Sequence, residues 1–280
     1  MDTVERRKIV QKISLDILKE VIDFCEKHDI EYFMFFGSLI GVVRHKGMIP
    51  WDDDIDIAMT RDNYYRFLDC LKIDGEELLR NNDLDIIGSG SVKYVSEIKV
   101  GRRGTTYCPK FGVDLDINKQ ITVDIFCIDY FKNSYLKHIN LLNKFRLFLS
   151  VLKLNWDEKR FMIRVFKQES KWTKYLKIIA LSALHLFRMI CTEKGIEYLI
   201  YHMAVDTTKS SKYMGVLGDR VPVYFSSDFN LIKAEFADLS VLIPDNYDEI
   251  LTRNYGDYMT LPPENERFRN DKYEVVLVID

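Results

Sequence analysis

The sequence predicts a mixed α/β (α+β) protein with an added helical region. Three observations predict it. An amphipathic helical repeat opens the chain. Short apolar runs with strand-like spacing then alternate with polar punctuation as far as about residue 130, and a basic, aromatic stretch of helical periodicity fills 134–205. Over 4–28, Ile9, Ile13, Ile17 or Leu18, Val21 and Phe24 or Cys25 recur at helical spacing with Lys and Glu between them. That helix ends near His28-Asp29. A strand is expected at about 31–36, closing on Gly37-Ser38, then a short helix or turn from Ser38 to Arg44. An Asp-rich strand follows, then a helix over roughly 61–72. Segments 84–88, 93–100 and 111–117 read as short strands or turns, and Ile121–Phe126 as a strand carrying one internal acid, Asp124. Positions 213–243 return to short strands and turns, and Leu261-Pro262-Pro263-Glu264 has loop chemistry. The expected organisation is a core made of 1–133 plus 206–280, with 134–205 as a basic helical insertion or subdomain.

The Asp-rich segment, Pro50-Trp51-Asp52-Asp53-Asp54-Ile55-Asp56-Ile57, sets four carboxylates among apolar residues. On a strand, the period of two points Asp54 and Asp56 to one face, and Ile55 and Ile57 to the other. Two ionised carboxylates about 4 Å apart repel by roughly 4 kcal/mol at an effective dielectric near 20. A positive partner should therefore occupy that face, and all-oxygen ligands favour Mg²⁺ or Mn²⁺. Most Asp runs are solvated loops, but such loops have no need of the interleaved Ile and Trp found here. A calcium loop beginning at Asp52 would need Gly at its sixth position and Glu at its twelfth. Ile57 and Asn63 stand there, which excludes it.

With 280 residues, 47% of them hydrophobic, the chain can bury a substantial core. Its net charge of −3 is unevenly spread, since 132–188 carries 13 Lys/Arg against 3 Asp/Glu. An ordinary helical subdomain with a solvated basic face explains that stretch. A sharper reading sets the face against anionic lipid headgroups or an anionic glycan. The five cysteines are scattered without a Cys-x-x-Cys pair, so neither a zinc site nor a disulfide scaffold is expected. Neither a signal peptide nor a membrane-spanning run is expected. The expected location is the cytoplasm, with a peripheral position on the inner face of the cytoplasmic membrane if the basic segment touches lipid. His28, His138, His185 and His202 read as structural, and His45 as a weak candidate.

Searches for a P-loop, a dinucleotide fingerprint, a zincin helix and a nucleophile elbow come back empty. What remains is Gly37-Ser38, then Asp54-x-Asp56, then Asp124. A Gly-Ser turn allows close backbone approach to a phosphate and offers N–H groups and a hydroxyl. Paired acids hold a divalent ion that neutralises a diphosphate. A third acid on a neighbouring strand completes the metal shell or takes a proton. This order resembles the nucleotidyltransferase fold of the DNA polymerase beta type. The string FFGSLIGVVRHKGMIPWDDDIDIAM at 35–59 further resembles the signature of the LicD family, which includes bacterial phosphocholine transferases and relatives of fukutin and fukutin-related protein. The likeness continues through VDIF at 123–126, IPDNYDEIL at 243–251 and NYGDYMTLPPENER at 254–267.

The resemblance implies a polymerase-beta-like core with a central mixed sheet. It also implies transfer of phosphocholine or another alcohol phosphate from CDP-choline, or a related CDP-alcohol, to a glycan or glycolipid hydroxyl, releasing CMP. Teichoic acid, lipopolysaccharide and capsule are the candidate acceptors, and no nucleic acid is expected as a partner. By the same resemblance Asp54, Asp56 and Asp124 are the catalytic metal ligands, and Gly37 and Ser38 form the phosphate-approaching turn. Arg44 is assigned to phosphate contact, with Lys99, Arg102 and Arg103 as further phosphate ligands; for each basic residue plain surface solvation is the alternative. Asp52 and Asp53 read as groups that orient the loop, and Trp51 as a packing residue. Two other readings stay open: nucleotidyl transfer, in which NMP itself moves to the acceptor, and a non-catalytic scaffold for glycan assembly.

Overall fold

A computed structural model describes residues 3–79, 82–87, 97–109, 120–139, 193–217, 224–267 and 275–279. The chain divides into two compact units, one of 1–129, 212–216 and 224–280, the other of 130–211 and 217–223.

In the first unit, helix α1 (Thr3–Lys27) buries Val10, Ile17, Leu18, Val21, Phe24 and Cys25 along one stripe, as the 3.6-residue repeat requires. Strand β1 (Phe33–Met34) is shorter than the apolar run suggests. The chain turns at Phe36, held at φ +41°, into helix α2 (Phe36–Ile40) and a π-helical turn over Gly41–His45. Strand β2 (Ile55–Thr60) leads directly into helix α3 (Arg61–Leu79), which runs well past the expected end near residue 72. Strands β3 (Leu84–Ile87), β4 (Glu97–Arg102), β5 (Thr105–Pro109) and β6 (Thr122–Tyr130) follow. The expected segment at 111–117 lies outside the described residues.

The main sheet has the order β1-β2-β6-β4-β3, and strand β7 (Tyr213–Val216) joins it through β6, with β8 (Tyr224–Ser226) beyond. The β2–β6 pair is parallel, and the β1–β2, β6–β4, β4–β3 and β7–β8 pairs are antiparallel. This bears out the mixed α/β class. The parallel pair sits mid-sheet because its strands are the most apolar. Ile55, Ile57, Ala58 and Met59 on β2, and Val123, Ile125, Cys127 and Ile128 on β6, are all buried, as strands covered on both faces demand. A hairpin of β9 (Leu231–Phe236) and β10 (Leu239–Pro244) packs beside β1. It closes on the π-helical turn, where the Ala237 N–H donates to the Lys46 carbonyl at 2.7 Å. A Cβ on Gly41 would lie 2.6 Å from the Gly47 carbonyl oxygen, so only glycine fits that contact.

In the second unit, helix α4 (Asn133–Lys137) packs on helix α5 (Glu193–Ala204), and Asp206 gathers hydrogen bonds from Thr208, Ser210 and Ser211. Most of the expected basic insertion at 134–205 lies outside the described residues. Back in the first unit, helix α6 (Tyr247–Tyr255) and a short helix α7 (Glu264–Arg267) bracket the Pro-rich tail. Strand β11 (Val275–Ile279) pairs antiparallel with β5. No helix among the described residues is long and apolar enough to cross a membrane.

Candidate functional site

The parallel pairing of β2 and β6 sets Asp56 directly against Asp124, and the antiparallel pairing of β6 and β4 sets Lys99 against Asp124. Three neighbouring strands therefore carry acid, acid and cation in one row on one face. The Lys99 ammonium donates to Asp124 and pairs with Glu97 at 2.9 Å. Burial works against its charge, but Asp124 and Glu97 outweigh that and hold the Lys99 pKa up. The Thr122 hydroxyl donates to the other oxygen of Asp124 at 2.8 Å, so this buried carboxylate is fully partnered.

The loop before β2 is braced from three sides. The side-chain amide of Gln11 on α1 donates to the Ile49 carbonyl at 3.0 Å and the Asp52 carbonyl at 2.8 Å. The Asp56 N–H donates to the Ser38 hydroxyl oxygen at 2.9 Å, and the Phe35 N–H donates to the Asp56 carbonyl at 3.0 Å. Gly37 lies so close to Asp52 that a Cβ there would sit 2.9 Å from the carboxylate. The Gly-Ser turn thus shapes the acid loop itself. Ser38 accepts from β2 through its hydroxyl oxygen, which leaves its O–H to donate.

Carboxylate oxygens of Asp52, Asp53 and Asp54 come within 4.8 Å of one another, the one set of three potential ligands this close among the described residues. Asp52 and Asp53, expected only to orient the loop, therefore stand beside Asp54 at the head of the acidic row. Burial, then the charge of Asp54 and a hydrogen bond to it, pushes the Asp52 carboxyl up to about 8. Asp56 is raised well above the usual range by burial and by Asp54, Asp124 and Asp52. Asp54 is raised too, by burial of its carboxyl and by Asp53 and Asp124, although the residue as a whole stands exposed at the rim. Burial first, and the acids' own like charge second, raise the proton affinity of this cluster.

The remaining basic residues separate. Lys99 reaches the acidic row, but Arg102, three positions along the same strand, lies on the opposite face. There Arg102 donates to the Asn82 carbonyl and pairs with Glu20 at 3.0 Å, and Arg103 pairs with Asp85 at 2.8 Å. Both arginines line a separate cavity of about 890 Å³ with Asp16, Glu20, Asp23 and Asp83. The structure does not bring them to the acids as expected. Arg44 donates to the carbonyls of Tyr258 and Thr260, and its Nε donates to His45 Nδ1 at 3.4 Å. It therefore ties the π-helical turn to the tail segment. Trp51 meets the His45 ring edge-on at 5.8 Å and carries the Arg267 guanidinium 5.4 Å from its centroid. Gln11 and Arg267 join the surroundings of the site without having been expected there from the sequence. The Asn-Glu-Arg ending of the tail motif was the signal for Arg267, while nothing in the residues around Gln11 marks it.

Comparison with known proteins agrees with this geometry. A family profile described as LicD/FKTN/FKRP, nucleotidyltransferase domain, matches residues 29–138, which include Gly37, Ser38, Asp52–Asp56, Lys99 and Asp124. The lipopolysaccharide cholinephosphotransferase LicD of Haemophilus influenzae is 27% identical over 265 residues, covering 92% of each chain. An uncharacterised protein of Rickettsia prowazekii is 25% identical over 247 residues, 85% of this chain and 84% of its own. The acidic row, the Gly-Ser turn that shapes it and the lysine opposite thus all belong to a LicD-family domain carried by this chain.

Proposed function

We propose that this chain moves phosphocholine, or a related alcohol phosphate, from a CDP-activated donor to a sugar hydroxyl of a cell-surface glycan such as lipopolysaccharide, releasing CMP. The observation that carries this reading is the in-register row of Asp56, Asp124 and Lys99, headed by Asp52–Asp54, inside the matched domain. The similarity to a lipopolysaccharide cholinephosphotransferase over nearly the whole chain supports the choice of phosphocholine and of that acceptor class.

The donor set fits a hard divalent cation. The row is all oxygen and crowded with like charge: Asp52, Asp53 and Asp54 bring carboxylate oxygens within 4.8 Å of one another, and Asp56 pairs in register with Asp124. Asp54, Asp56 and Asp124 would hold Mg²⁺ or Mn²⁺, which supplies charge neutralisation of the donor diphosphate. Gly37 lets the backbone approach that diphosphate, and the Ser38 hydroxyl has its proton to offer a phosphate oxygen. Lys99 offsets the row's charge from the side opposite β2. As the acceptor oxygen bonds to the phosphocholine phosphorus, the bond from that phosphorus to the CMP oxygen breaks, and the hydroxyl proton passes to a carboxylate of the cluster. A cytoplasmic site, peripheral to the membrane through the basic stretch 134–205, belongs to the same reading. It implies salt-sensitive association with anionic vesicles, and equal partitioning to neutral vesicles at low salt would contradict it.

The test is a panel of CDP-alcohols assayed for CMP release with Mg²⁺, Mn²⁺ or EDTA. CDP-choline should be turned over only with the metal, and the Asp54→Asn, Asp56→Asn double variant should lose at least ~1,000-fold in rate. Undiminished turnover by that variant would overturn the mechanism. The nucleotidyltransferase description of the matched family favours one second reading, transfer of NMP itself. Mass spectrometry of the modified acceptor separates the two, because the product would then carry the nucleotide.

A further inference from the structure

A second charged cluster lies beside the acid loop, and its sign is opposite. Arg44 lies near the end of the π-helical turn, one residue before its last, and Arg267 closes α7. Arg267 Nε donates to the Pro262 carbonyl at 2.6 Å while its guanidinium lies over Trp51. Arg44 is held by the Tyr258 and Thr260 carbonyls and by His45 Nδ1, and burial and the Arg44 charge lower the His45 pKa. Among the described residues neither guanidinium has a carboxylate partner, and each uses only part of its five N–H donors. Burial and the charge of Arg267 both depress the Arg44 pKa, so the two cations feel each other.

Two half-buried guanidiniums held near one another by neutral carbonyls and a tryptophan face are strained by like charge, as the acids are. The free N–H groups of a guanidinium pair match the oxygens of a phosphate bidentately. Asp52, next to Trp51 in sequence, connects this cluster to the acid row. We propose that Arg44 and Arg267, braced on His45, Trp51 and the 258–262 backbone, form a binding site for a phosphate group. Resting on the function proposed above, that phosphate belongs either to the donor diphosphate or to an anionic acceptor glycan. Arg267 is then a substrate-binding residue supplied from the far end of the chain, and the tail segment 258–267 is part of the site.

The test uses the full chain with inorganic phosphate and CDP as probes, both titrated calorimetrically in EDTA. Wild type should bind phosphate, and Arg267→Gln should weaken that binding ~10-fold or more, the loss expected for a charge-assisted pair. Arg267→Lys, which keeps the charge, should recover part of it, and unchanged melting temperatures would show that both variants are folded. Should Arg267→Gln misfold, Arg44→Gln, with Arg44→Lys as its charge-keeping control, carries the same comparison. Steady-state kinetics assign the source: a raised KM for the CDP-alcohol alone points to the donor, a raised KM for the glycan alone to the acceptor. Phosphate affinity and both KM values unchanged in folded Arg267→Gln would overturn the inference, as would a wild type that binds neither probe. Turnover that survives in that variant with those values unchanged leaves the transferase reading standing. Arg267-dependent phosphate binding without turnover of any CDP-alcohol would sink that reading and leave this one.

Discussion

Gly37 has no room for a methyl group, because the carboxylate of Asp52 occupies the space a Cβ would need, 2.9 Å away. Gly37→Ala should therefore displace Asp52 and the acids beside it. Misplacement of reacting groups by even ~1 Å can cost on the order of 100-fold in rate. The variant should lose ~10- to 100-fold in CMP release while its melting temperature falls only slightly, since α2 itself accepts alanine. A wild-type rate would mean that Asp52 does not help to position the acids. Lys99 makes a different kind of contribution, because its removal strands the buried Asp124 charge. Lys99→Met should cost about 1–3 kcal/mol in metal-free urea unfolding. Saturating Mg²⁺ should restore most of the loss if the ion takes over as counter-charge. Equal destabilisation with and without Mg²⁺ would place the metal away from Asp124.

At the scale of elements, the corner from β2 into α3 is locked by an ion pair between Arg61 at the start of the helix and Asp129 near the end of β6. Burial opposes the Arg61 charge, but its hydrogen bonds to Asp129 prevail and raise its pKa. Removing one partner of such a pair costs about 3–5 kcal/mol, because a buried charge loses its counter-charge. Asp129→Asn should therefore lower stability by about that much in equilibrium unfolding; a loss below ~1 kcal/mol would mean that water reaches Arg61 after all. This lock was not legible in the sequence, because it depends on which strands become neighbours. Helix α1 was legible, since Ile17, Val21 and Phe24 declare their buried face by periodicity alone. So were β2 and β6, whose apolar runs were each broken by an acid that core packing does not explain. The pairing of β5 with β11 was hidden because it joins Thr105–Pro109 to the far end of the chain. The reach of α3 beyond residue 72 was hidden because Ile73 points to solvent, against the amphipathic pattern. The site was legible in the same measure. A strand's period of two put Asp54 and Asp56 on one face, whereas the grouping of Lys99 with Arg102 overlooked that an odd spacing separates them. No local signal could pair Lys99 with Asp124, because antiparallel register decides it.

For the whole molecule, the acid cluster makes stability depend on pH in a direction opposite to that of most carboxylates. Asp52 is pushed up to about 8, and Asp54 and Asp56 are raised as well, against an unfolded value near 3.8. Below about pH 4 these groups are protonated in both states and burial costs them little. As the pH rises, the unfolded chain releases their protons while the folded protein still holds them, so the folded state binds more protons and loses stability. The window runs from about pH 4 through Asp52's folded value near 8. Metal-free protein should therefore melt several degrees lower at pH 8 than at pH 5.5, given about 2–4 °C per kcal/mol for a domain of this size. Asp56→Asn should flatten that slope, which separates the cluster from every other titrating group in the chain. A divalent ion binds the ionised form, so Mg²⁺ or Mn²⁺ should raise the melting temperature more at pH 8 than at pH 5.5. Thermal melts in EDTA and in Mg²⁺ across this range read both effects. If the metal-free curve is flat or rises, and Asp56→Asn leaves it unchanged, the acids are not held together under repulsion. The physical need for a cation in this site then disappears.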